Sequence, residues 1–139
     1  MNLYAIKING LSNPIGFDFE RLICSWKIKN SCGKNQKWTE IKVSLDEDMS
    51  RIIYEKKGKL NSLGEPLEIS LNPYTRYYYQ ITVHTDMEEE CESEICYFET
   101  AKLQSPWIAH WLGVQKKDSH PEFQKTFMIY KKVKSARIY

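Results

Sequence analysis

The stretch Leu71-Asn72-Pro73-Tyr74-Thr75-Arg76-Tyr77 decides the fold. Pro73 stiffens a turn that leads into a long alternating segment. In that segment Tyr77, Tyr79, Ile81 and Val83 alternate with Tyr78, Gln80 and Thr82, the period-two pattern of a half-buried strand. Tyr77 stands at its start. There its ring can fill the corner between two sheets while its hydroxyl bonds backbone a few residues upstream, the geometry of a tyrosine corner. Leu71, Pro73 and Tyr77 are therefore read as structural residues.

The same period recurs on both sides of this stretch. The segment from Leu3 to Ile8 alternates; Leu22, Cys24, Trp26 and Ile28 alternate with Arg21, Ser25, Lys27 and Lys29; Ile41, Val43 and Leu45 alternate with Glu40, Lys42 and Ser44. Ile52-Ile53-Tyr54 is a short apolar run, Leu67, Ile69 and Leu71 alternate with Glu68 and Ser70, and Cys96 with Phe98 closes the series. Turn signals separate the runs: Asn9-Gly10, Asn13-Pro14, Cys32-Gly33, Lys57-Gly58, Leu63-Gly64 and Asn72-Pro73. No long amphipathic helix is visible. Seven short strands predict an all-β fold, an antiparallel β-sandwich, with Trp26 inward in its core. The acidic run Asp86 to Glu94, six carboxylates in nine residues, is read as a solvated hairpin loop.

Composition agrees. The chain has 139 residues, 42% hydrophobic and 27% charged, enough to bury a core without staples. Its 13% aromatic content leans towards β-structure. Twenty basic against eighteen acidic residues give +2, too balanced to point to nucleic acid. No apolar run reaches the length of a membrane span. No signal-peptide pattern follows Met1, so the expected compartment is the cytoplasm and its thiols are expected free. Cys24 and Cys96 face inward, whereas Cys32 and Cys91 fall in loops expected at one pole, where oxidation could join them. No cysteine or histidine spacing fits a zinc site, and no cofactor motif is present. Residues 1–114 carry net −3 and residues 115–139 net +5, which places a change of module near residue 105 to 115. The basic stretch Lys131-Lys132-Val133-Lys134 is read as a solvated strand or turn.

The Leu71-x-Pro73-x-Thr75-x-Tyr77 pattern resembles the E–F corner of fibronectin type III domains, which need no inter-sheet disulfide. Four further segments resemble a more specific relative, the N-terminal part of bacterial α-L-rhamnosidases. They are Asn13-Pro14-Ile15-Gly16 with Cys24-Ser25-Trp26-Lys27; Arg76-Tyr77-Tyr78-Tyr79-Gln80; Phe98-Glu99-Thr100-Ala101 with Trp107-Ile108-Ala109-His110-Trp111; and Phe123-Gln124-Lys125-Thr126-Phe127 with the closing Ala136-Arg137-Ile138-Tyr139. The resemblance implies a fibronectin type III or immunoglobulin-like sandwich over residues 1–103. Residues 104–139 would be a linker and the truncated start of a second β-sandwich, an extension with β character. It further implies that catalysis belongs to a separate (α/α) barrel absent from this chain, so that the chain is an N-terminal fragment and not itself an enzyme.

A glycosidase needs a carboxylic acid held protonated beside a second carboxylate, and Asp46-Glu47-Asp48 and Glu88-Glu89-Glu90 look solvated. Sugar binding needs exposed flat rings, for which Trp38, Tyr78, Trp107 and Trp111 are the candidates. Trp38 and Tyr78 point away from the apolar face. Trp107 and Trp111 flank the module junction, where packing between domains is the competing role. The leading expectation is a non-catalytic module that braces other domains of the same polypeptide. It would self-associate through an apolar flank when these are missing. The alternatives are a module for rhamnosylated glycans and a stand-alone protein-interaction domain.

Overall fold

A computed structural model describes residues 1–114, 120–133 and 136. The chain divides into two compact units, Met1–Gln104 and Ser105–Tyr139. The first holds nine strands: β1 (Asn2–Ile8), β2 (Ile15–Phe17), β3 (Leu22–Lys29), β4 (Gln36–Ser44), β5 (Ile52–Gly58), β6 (Glu65–Leu67), β7 (Arg76–Thr85), β8 (Glu90–Glu92) and β9 (Cys96–Thr100). They form a three-stranded sheet, β1-β3-β6, and a six-stranded sheet, β2-β9-β7-β4-β5 with β8 also on β7. This is an immunoglobulin-like β-sandwich.

Alternation builds the core. Along β7 every second residue from Tyr77 to Thr85 is buried, because successive side chains of a strand point to opposite faces. Thr39, Ile41 and Val43 from β4 join them beneath Leu22, Cys24 and Trp26 from β3 and Ile6 and Ile8 from β1. Trp26 is 1% exposed, and its indole Nε1 donates to Gln36 Oε1 at 2.8 Å, so the one polar atom of the ring is satisfied. Tyr77 and Phe98 stack at 5.1 Å, and Phe19 meets Phe98 edge-on at 5.8 Å. Each such apolar side chain contributes roughly 1.5–3 kcal/mol by burial.

The architecture departs from the expected one in four places. There are nine strands rather than seven, because the three-residue strands β2 and β8 exist through pairing rather than pattern. The sheet is not wholly antiparallel: β2 runs parallel to β9. The run Leu67 to Leu71 pairs only as far as Leu67, since the register Leu22↔Leu67, Ile23↔Pro66 and Cys24↔Glu65 ends where β3 begins. The acidic run is not one solvated loop, because Glu90–Glu92 forms β8.

Side chains of β5 close the free edge of β6. Lys56 Nζ donates to the Pro66 carbonyl at 3.0 Å and pairs with the buried Glu65 at 2.6 Å, while the Glu68 N–H donates to the Tyr54 hydroxyl. Covered edges resist pairing with foreign strands.

In the second unit, the β character expected of residues 104–139 is not realised as strands among the described residues. Its apolar side chains lie uncovered, Ile108, Trp111 and Tyr130 almost wholly, and a strand without a partner ladder leaves its backbone unpaired. Lys134 and the closing Arg137-Ile138-Tyr139 lie outside the described residues. No helix of the described residues is long and apolar enough to cross a membrane.

Candidate functional site

A dense polar construction surrounds the place where the chain leaves the sandwich. Pro73 opens the turn, Tyr74 takes a left-handed φ of 54°, and the Thr75 hydroxyl donates to the Pro73 carbonyl at 2.8 Å. The Asn72 N–H donates to the Tyr77 hydroxyl at 2.7 Å while the Tyr77 ring is fully buried, so one residue fills the core and fastens the turn above it. Thr100, the last residue of β9, is buried against this turn. Its hydroxyl donates to the Asn72 carbonyl at 2.7 Å and accepts from the Thr75 N–H at 2.9 Å.

Beyond Thr100 the backbone stays held. The Tyr74 N–H donates to the Ala101 carbonyl at 2.8 Å and the Ala101 N–H to the Phe17 carbonyl at 3.0 Å. The Leu103 N–H donates to Asp18 Oδ1 at 2.7 Å. Glu99, next to Thr100, is buried and receives the Arg76 guanidinium at 3.0 Å, which also lies 4.5 Å from the Tyr97 ring. The exit is thus fixed on one side by β2 and on the other by the tyrosine-corner turn.

A second construction joins two loops at the opposite pole. Glu89 Oε2 accepts from the Ser31 hydroxyl at 2.6 Å and from the Cys32 and Gly33 N–H groups at 3.0 and 3.1 Å. Ser31 and these backbone donors hold the Glu89 carboxyl below its ordinary value. Asp86 accepts from the Lys34 N–H and the Asn35 amide, and Asn35 likewise lowers its pKa. Lys37 pairs with Glu88 and lowers it too. Gly33 packs so closely that a Cβ there would lie 2.5 Å from Thr85 Cβ. These are carboxylates held ionised as structural acceptors, the reverse of what a general acid requires.

The aromatic candidates are scattered. Trp38 projects outward from β4, but neither face of its ring is open. His84, its direct cross-strand partner on β7, stacks on it at 4.0 Å, and Lys57 from β5 sits 4.0 Å from the ring centroid. His84 also pairs with Glu90. Tyr78, half-buried beside its cross-strand partner Tyr97, lies six residues along β7 from His84, about 20 Å at the rise of a strand. Trp38 and Tyr78 therefore share no platform. Trp107 and Trp111 lie in the second unit, 64% and 102% exposed, around a depression of about 370 Å³ with Ala109 and His110. Leu71 is half-buried against the core and Pro73 is exposed.

All four cysteines are free, with Cys24 and Cys96 buried and Cys32 exposed. Burial pushes the Cys24 thiol up to about 12 and that of Cys96 to about 11, far from reactive thiolates. The nearby Tyr79 hydroxyl is buried without a hydrogen-bond partner among the described residues. Among those residues no three His, Cys, Asp or Glu side chains group as a metal centre.

The sequence reading missed Thr100, Asp18 and Phe17 as exit anchors and Glu89 as a loop anchor. Their partners lie tens of residues away, and only the Ser31-Cys32-Gly33 turn facing an acidic hairpin hinted at the second.

Known proteins share this architecture. The crystal structure of Streptomyces avermitilis α-L-rhamnosidase complexed with L-rhamnose is similar at a TM-score of 0.67 and 20% identity, over 78% of this chain and 11% of that one. The α-L-rhamnosidase from Dictyoglumus thermophilum is similar at 0.64 and 18% identity, over 76% of this chain and 13% of that one. The chain thus spans about a tenth of the length of these proteins. No curated protein sequence matches it. The family described as Rha78A-like, N-terminal immunoglobulin domain matches residues 3–104, the whole sandwich from β1 through the held exit, and the chain belongs to that family.

Proposed function

We propose that the chain is a non-catalytic bracing module of an α-L-rhamnosidase-like protein. Its sandwich sets the direction in which the polypeptide passes to its other domains. The observation that carries this reading is the exit itself. Phe17, Asp18, Asn72, Tyr74 and Thr75 hold Thr100, Ala101 and Leu103 through backbone and side-chain hydrogen bonds. A flexible tether needs no such fastening, because loops that only connect are ordinarily mobile surface segments. The ionised state of Glu88, Glu89 and Asp86 supports a role other than acid catalysis.

The test removes the fastening without disturbing the core. Thr100→Val keeps shape and removes the hydroxyl, and Asp18→Ala removes the Leu103 acceptor. In the polypeptide carrying the following domain, spin labels on the sandwich and on that domain should give a broader distance distribution in the double variant. An equally narrow distribution would overturn the bracing role.

A second reading, contact with a rhamnosylated glycan, draws on exposed Trp107 and Trp111 around their depression. Titration with rhamnose and rhamnosylated oligosaccharides, followed by tryptophan fluorescence and calorimetry, checks it. No saturable signal up to millimolar sugar counts against it.

A further inference from the structure

The two outer faces of the sandwich treat charge differently. On the six-stranded sheet, Lys42 and Lys57 share Glu40, Arg76 pairs with Glu99, and His84 pairs with Glu90. On the three-stranded sheet, cross-strand pairing sets Tyr4 beside Lys27, Lys7 beside Ser25, and Ile23 beside Pro66 on the outward side. None of these outward positions holds a carboxylate. Among the described residues Lys7, Lys27 and Lys29 have no ion-pair partner.

Between Lys7 and Lys27 the face carries a depression of about 160 Å³, lined also by Ala5, Ser25 and Leu63. Its origin is local. Between Tyr4 and Lys7 the β1–β3 register shifts, Ala5 takes a φ of 50°, and its methyl leaves space that a larger side chain would fill. The Ser25 hydroxyl makes no hydrogen bond among the described residues. The rim thus offers two ammonium groups and a hydroxyl, all without partners among the described residues, and the wall offers exposed Leu63.

We propose that this face docks against the surface of a neighbouring folded domain, and that a Glu or Asp side chain of that domain enters the depression between Lys7 and Lys27. Charge complementarity sets the sign of the partner. The size of the depression, which suits one side chain rather than a sugar chain or a nucleotide, and the exposed aliphatic Leu63 on its wall favour a protein. Lys29 lies 5.3 Å over the Tyr4 ring, so the one aromatic surface on this face is engaged. The inference rests on the bracing reading and names the face through which bracing would act.

The test uses the 139-residue chain and poly-L-glutamate at physiological ionic strength, followed by amide NMR shifts, with heparin as the sulfated-glycan arm. Saturable shifts at Ala5, Lys7, Ser25, Lys27 and Leu63 are expected. Affinity should fall about tenfold in the Lys7→Gln/Lys27→Gln double variant and hold in Lys42→Gln. Shifts centred elsewhere, no shifts at all, or unchanged affinity in the double variant would overturn the docking face. Tighter binding of heparin at the same residues would overturn the protein partner. The bracing reading survives any of these results, because its own test reads the exit rather than this face.

Discussion

Tyr77 joins core and turn in one side chain, and its two parts separate experimentally. Tyr77→Phe keeps the ring against Phe98 and removes only the acceptor for the Asn72 N–H. Stability should fall by about 0.5–1.5 kcal/mol in urea denaturation. Gly33 is sensitive for a different reason. Its added methyl would lie 2.5 Å from Thr85 Cβ and 2.8 Å from Asp86 Oδ1, closer than packed atoms approach, so the turn or Thr85 must shift. Gly33→Ala should cost about 1–3 kcal/mol by overpacking and should shift the amide signals of residues 31–35. The corner was legible in the sequence because Asn72 and Tyr77 are five residues apart. The Thr75–Thr100 bond spans 25 residues and the Ser31–Glu89 bond 58, and no local pattern announces partners at such distances.

Among the strands, legibility followed burial. β7, β4 and β3 bury one face against the core, so their alternation is nearly strict and they could be read directly. β2 and β8 have three residues each and bury almost nothing, so only their neighbours make them strands. The seam between β5 and β6 is testable at this scale. Lys56→Met leaves Glu65 buried with fewer partners, and stability should fall by about 1–3 kcal/mol. Adding Glu65→Gln should recover part of that loss, and a double-mutant cycle measures the coupling. The β7–β8 hairpin should respond to acid. The Glu89 and Asp86 carboxyls titrate below their unfolded values. Their contribution is therefore complete above the unfolded carboxylate range and is lost as pH falls through the lowered values. Hydrogen exchange at residues 31–35 should accelerate in acid before that of β4 or β7, and Glu89→Gln should remove most of that dependence.

At the scale of the molecule, the sandwich and the second unit differ in what they bury. The first closes its own core. The second leaves Ile108, Trp111, Leu112, Met128 and Tyr130 more than two-thirds exposed, and exposed apolar surface tends to find a partner. The full chain should self-associate at micromolar concentration in sedimentation experiments. A version ending at Gln104 should do so much less and should melt within about 0.5 kcal/mol of the parent sandwich. That no strand forms among the described residues of the second unit could not be read from a pattern that looks extended. The parallel pairing of β2 with β9 has a mechanical consequence. Tension that draws β9 away through Leu103 while β2 is held from its N-terminal side slides the two strands past each other lengthwise. Their cross-links then resist together rather than peeling one at a time. Pulled by its ends, the sandwich would give way at this short ladder in a single abrupt rupture, which makes it a stiff link in any longer chain.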